Sequence, residues 1–129
     1  MNEFKAWSNE MLGTKATEAL TKNNFSSVYS KTKQDAAEQL LALIPAGATI
    51  GVGGSSSINE VGVLDELKKR GHTIYNHNVP GLTPDESLAL RRAQLTCDVF
   101  LCSTNAVTLD GKLVNVDGIG NRTAAMMFG

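Results

Sequence analysis

The stretch TIGVGGSSSINEVGVLDEL, residues 49–67, decides the fold. Thr49–Val52 has the apolar, β-branched texture of a short buried strand, and Gly53-Gly54 then permits positive φ and close backbone approach. Three serines follow, Ser55, Ser56 and Ser57, and a helical period runs from about Ile58 to Arg70, stopped by Gly71. A strand feeding a helix through a glycine-rich turn is the opening of a βα unit, whose loop lies at the carboxyl end of its strand. The free N–H groups of such a first turn, beside serine hydroxyls, suit a phosphate or carboxylate. The same residues also serve as a plain connection, with Ser56 or Ser57 capping the helix. Neither G-x-G-x-x-G nor Gly-Lys-Ser/Thr is present, so no dinucleotide or P-loop motif is read here.

Working outward, "HTIYNHN" is a second strand, and "LTPDESLALRRAQLT" a helix opened by Thr83, Pro84 and Glu86. "CDVFLCS" is a third strand, and "NAVTLDGKLVNVDG" a hairpin with Asp110-Gly111 as its two-residue turn. A last helix begins at "NRTAAMMFG". Upstream, residues 1 to about 24 read as a helix with Trp7, Met11, Ala19 and Leu20 as apolar anchors. A second helix in residues 29–45 carries Ala36, Ala37, Leu40, Leu41 and Ile44 on one stripe, and Pro45 and Gly47 end it. The expected architecture is α/β: a mostly parallel sheet with helices on both faces, residues 29–129, preceded by an N-terminal helical segment, residues 1–28. The last helix leads to no further strand. The expectation is therefore an incomplete domain, a fragment or a chain whose sheet a partner completes.

Composition narrows the function classes. Apolar residues make up 42% and charged residues 19%, a globular balance, and the net charge of −1 carries no footprint for nucleic acid. No apolar run approaches the ~20 residues of a membrane span, and the polar N-terminus is unlike a signal peptide. The expectation is a cytoplasmic protein with no membrane or nucleic-acid partner. Cys97 and Cys102 flank a strand at odd spacing, which predicts opposite faces and two reduced, half-buried thiols. With no C-x-x-C motif and no third ligand for His72 or His77, which read as solvent-facing strand ends, no metal or cofactor is expected.

A second chemistry-bearing stretch is STNAVTLDGKLVNVDGIGNR, residues 103–122. Asn105 lies just past the third strand, at the sheet edge of the serine loop. Asp117 reads either as a turn residue or as a ligand-orienting group, Asn121 as an N-cap or a ligand contact, and Arg122 as solvent-facing. Glu60, in the first turn after the serine loop, complements the helix dipole or serves as a base, with Asp117 the other weak catalytic candidate. The binding set is Gly53, Gly54, Ser55, Ser56, Ser57, Asn105, Asp117 and Asn121.

From about Lys33 to Gly129, through "IPAGATIGVGGSSSINEVGVLDELKKRGH" and "CDVFLCSTNAVTLDGKLVNVDGIGNRTAAMMFG", the chain resembles the LUD (lactate-utilisation) domain family. The resemblance implies the fold of the ribose-5-phosphate isomerase, glucosamine-6-phosphate deaminase and CoA-transferase group. The isomerases of that group end a strand in Gly-Ala-Asp. Here the acid falls at Asn105 and the preceding pair is Ser103-Thr104, and an amide cannot take a proton from carbon as a carboxylate does. The family's link to lactate conversion implies a small anionic ligand or the role of a complex subunit, homo-oligomeric or otherwise. A sugar-phosphate isomerase or CoA-transferase-like enzyme is the alternative.

Overall fold

The computed structural model describes residues 2–129. Its helices and strands follow in the order α1 (Glu3–Lys22), α2 (Lys33–Leu43), β1 (Ile50–Val52), α3 (Ser56–Val61), α4 (Val63–Lys69), β2 (Ile74–Asn76), α5 (Pro84–Ala93), β3 (Val99–Leu101), β4 (Ala106–Val107), β5 (Leu113–Val114) and α6 (Asn121–Phe128). The chain divides into two compact units. One holds the chain up to Thr32 together with Thr104–Asn115; the other holds Lys33–Ser103 and Val116–Gly129.

The larger unit is α/β. Its three strands are parallel in the order β2-β1-β3, with Gly51 level with Tyr75 on one side and Phe100 on the other. Alternation along β1 sends Ile50 and Val52 to one face and Gly51 to the other. Ile50 and Val52 meet Ile58, Val63 and Leu67 in the core, and Ala37, Leu40, Leu41 and Ile44 pack onto it from the α2 side. The Gly51 face is covered by the end of α5: a Cβ at Gly51 would lie 3.1 Å from Gln94 Cγ and 2.8 Å from Cys97 Sγ. Helices thus lie on both faces of a parallel sheet. The amino ends of β1 and β3 are pinned by Asp98, whose carboxylate accepts from the Thr49 amide and hydroxyl, each at 2.8 Å.

The helix expected from about Ile58 to Arg70 is two helices. Gly62 sits between them with φ +78°, a left-handed conformation that closes α3 and starts α4. The cysteines also differ from expectation. Cys97 lies before the three-residue β3, so strand alternation does not reach it, and its sulfur rests on the Gly51 face while Cys102, level with Gly53, shares that face. Both thiols are free. Neither histidine faces solvent: both are half-buried, and His72 Nδ1 lies 2.8 Å from the Ala48 carbonyl.

In the smaller unit, Trp7 and Met11 are not buried anchors; they are 64% and 56% exposed on α1. What secures this helix lies nearer its end. Asn23 donates to the carbonyls of Asp110 and Gly111, at 3.1 and 2.8 Å, and Gly111 approaches the Ala19 backbone so closely that a Cβ would meet it at 2.5 Å. The hairpin turn is also shifted. The Gly111 amide donates to the Thr108 carbonyl, so Leu109-Asp110 are the central residues and Gly111, at φ +83°, is the following left-handed bulge.

Candidate functional site

The chain leaves β1 toward β2 over one face of the sheet and returns from β2 to β3 over the other. The topological switch therefore falls between the carboxyl ends of β1 and β3, where open α/β sheets form their ligand crevices. Gly53 and Gly54 leave β1 there. Neither adopts a positive φ. They are glycines because side chains crowd them: a Cβ on Gly53 would lie 2.7 Å from Phe100 Cζ, 3.1 Å from Arg122 Cγ and 3.3 Å from Cys102 Cβ. A Cβ on Gly54 would lie 3.1 Å from the Asn78 amide group. Ser55, rather than Ser56 or Ser57, is the cap, its buried Oγ accepting from Ile58 N at 3.2 Å, and the helix starts at Ser56 rather than Ile58. Ser56 and Ser57 are exposed, and among the described residues nothing accepts from the backbone amides of Gly54, Ser56 and Ser57.

The last helix lies against this turn through Arg122. Its N-cap is Gly120, not Asn121, and offers no side chain. Asp117 reaches in instead, accepting from the Thr123 amide at 2.6 Å and the Thr123 hydroxyl at 2.9 Å. Its other oxygen pairs with Arg122 Nη2 at 2.9 Å, both side chains being largely buried, and Arg122 Nη1 donates to the Ser103 carbonyl at 2.7 Å. Arg122 is therefore not the solvent-facing residue the sequence suggests; it ties the exit of β3 to α6. The Thr123 amide, then its hydroxyl and the Arg122 charge, hold Asp117 below the usual carboxylate range. So held, it is an anion at neutral pH and a poor proton acceptor. Burial pushes the Cys102 thiol up, partly offset by Arg122, and burial does the same at Cys97, so neither is a ready thiolate.

The remaining sequence-predicted residues lie as follows. Asn121 is half-buried in the first turn of α6. Glu60 is exposed on α3 and pairs with Lys33 at 3.1 Å. Asn105 belongs to the smaller unit, where its amide donates to the Val114 carbonyl beside the hairpin ladder. The structure thus brings Gly53, Asp117, Arg122 and Cys102 together, and Gly54 with Asn78.

Sequence reasoning missed a second polar cluster, at the exit of β2. Gln94 is 1% exposed, and its Nε2 donates to the carbonyls of Val52 and Tyr75, each at 3.0 Å, and lies 2.9 Å from His77 Nδ1. Burial, and next the nearby Arg91 charge, push the His77 pKa down, so the ring is neutral at physiological pH. The signal was in "RRAQ": Arg91 and Gln94, three apart, share one helix face. Among the described residues no three of His, Cys, Asp or Glu gather as metal ligands, and no helix is long and apolar enough to cross a membrane.

The LUD domain family model matches residues 13–129, spanning the sheet and all of the site residues above. No curated protein and no solved structure matches the chain. Sheet, switch-point loops and the final helix all fall within the matched span, and the chain belongs to the LUD domain family.

Proposed function

We propose that this LUD-domain chain binds a small anionic metabolite, a carboxylate or phosphate, at the mouth between the carboxyl ends of β1 and β3, in a lactate-utilisation-like role. The observation that carries this reading is that the backbone amides of Gly54, Ser56 and Ser57, three exposed residues at the topological switch point, have no acceptor among the described residues. In this role Gly53 and Gly54 pass the chain between Phe100, Arg122 and Asn78 into the turn, Ser55 holds the turn, and Ser56 and Ser57 offer N–H and hydroxyl donors. Asp117 orients Arg122, and Asn121 lies at the start of the same helix to hydrogen-bond the rest of the ligand.

Binding, rather than proton abstraction, is what these residues favour. Asp117 is engaged by Thr123 and Arg122, and Glu60 by Lys33. The test is amide chemical-shift mapping of the full chain with L-lactate, pyruvate, inorganic phosphate and a sugar phosphate. One of these is expected to shift the Gly54, Ser56 and Ser57 amides together and saturably. Unmoved amides at all three positions with every ligand would refute the site.

A further inference from the structure

Arg91 is a half-buried cation that no carboxylate among the described residues answers. Its Nη1 donates to Ser87 Oγ at 2.8 Å, one helical turn earlier on α5. That contact fixes the guanidinium from one side and leaves the Nε–Nη2 edge without an acceptor; Nε itself is buried and unbonded. This is the edge that takes a carboxylate or phosphate with two parallel hydrogen bonds. His77 adds a third donor. Gln94 Nε2 can only donate, and its two N–H groups are shared among the Val52 and Tyr75 carbonyls and His77 Nδ1; the compatible role for Nδ1 is acceptor, which puts the neutral ring's proton on Nε2. His77 Nε2–H has no partner among the described residues. The buried Gln94 Oε1 is likewise unbonded, an acceptor in a cluster otherwise made of donors. Unmatched donors on half-buried side chains carry a desolvation cost that an acceptor removes, and an oxyanion is the acceptor that also answers the Arg91 charge.

We propose that Arg91, Ser87 and His77 form an oxyanion-recognition site at the exit of β2, taking the carboxylate or phosphate group of a small ligand, with Gln94 Oε1 accepting from a ligand hydroxyl. None of these residues belongs to the β1–β3 mouth, and the inference stands on different observations from the function proposed above. The two anion sources are separated by using two probes, inorganic phosphate and acetate.

The experiment follows the Arg91 Nε–H and His77 ring resonances of the labelled full chain during titration with each probe. Saturable movement of both signals is expected with at least one probe, and the stronger binder names the anion class. Replacing Arg91 by Lys keeps the charge but loses the fork, and Arg91→Gln loses both. Each variant is expected to weaken binding by about 10-fold or more, the scale of a charge-assisted hydrogen bond. Arg91 and His77 signals that stay still up to tens of millimolar of both probes overturn the proposal, whether or not the variants fold. Undiminished binding by a folded Arg91→Gln does the same. Shifts at Ser56 and Ser57 without shifts at Arg91 would sink this site and leave the mouth intact; the reverse pattern would support this site and leave the mouth to its own test with lactate, pyruvate and a sugar phosphate.

Discussion

Asp117 shows how one residue can hold several parts of a site. Its carboxylate closes the first turn of α6, which Gly120 leaves uncapped, and neutralises a largely buried arginine that holds the β3 exit. Because its folded pKa lies below the unfolded value of about 3.9, the stabilisation it provides is full above that value and is lost as pH falls through the folded one. Asp117→Asn keeps the shape and removes the charge. It is expected to lower stability near neutral pH by about 1–3 kcal/mol, the range for a buried polar group short of its partner. The gap to the parent should close on acidification in urea melts; a variant parallel to the parent at every pH would contradict it. The sequence places Asp117 before a helix but cannot show that it, rather than Asn121, supplies the cap, because the choice depends on how the loop folds back.

At the scale of elements, Gly62 separates two helices that a periodic reading joins. Its left-handed conformation has open space where a Cβ would go, so Gly62→Ala tests backbone preference without a clash. The expected loss is about 1 kcal/mol, measured by urea denaturation, and a stabilised Ala variant would mean that the two helices merge without cost. The start of α5 is the opposite case, legible in full. Thr83 Oγ1 accepts from Glu86 N at 3.2 Å and the Glu86 carboxylate accepts from Thr83 N at 2.7 Å, a reciprocal cap written within four residues. Ser55 shows the limit of such reading, since three consecutive serines offer three similar caps and only the path out of β1 selects one.

At the scale of the whole molecule, stability rests on the apolar face of the sheet. Leu67 is fully buried between α4 and β1's Ile50 and Val52, in a core of few residues. Leu67→Ala is expected to cost about 2–5 kcal/mol, a large part of the about 5–15 kcal/mol available to a domain. Loss of the cooperative urea transition or a midpoint shifted far down would agree; a change within error would place the core elsewhere. The order of strands and helices, and therefore the parallel sheet, could be read from residues 49–101 because each signal is local: apolar runs, glycine stops, the Thr83 cap. The smaller unit was not legible, since its hairpin joins α1 through Asn23 and Gly111, across 88 positions of sequence.

By itself the sequence determined the βα order, the glycine–serine turn after β1 and the Thr83 start of α5, since backbone hydrogen bonds and caps act over a few residues. Only the tertiary structure decided what those pieces meet. Gly53 is a glycine because Phe100 and Arg122 lie against it; Arg122 is buried because Asp117 answers its charge; Gln94 joins β1 to β2 across 42 positions. Desolvation and pairing are properties of neighbours in space, and no periodicity along the chain encodes which neighbours those will be.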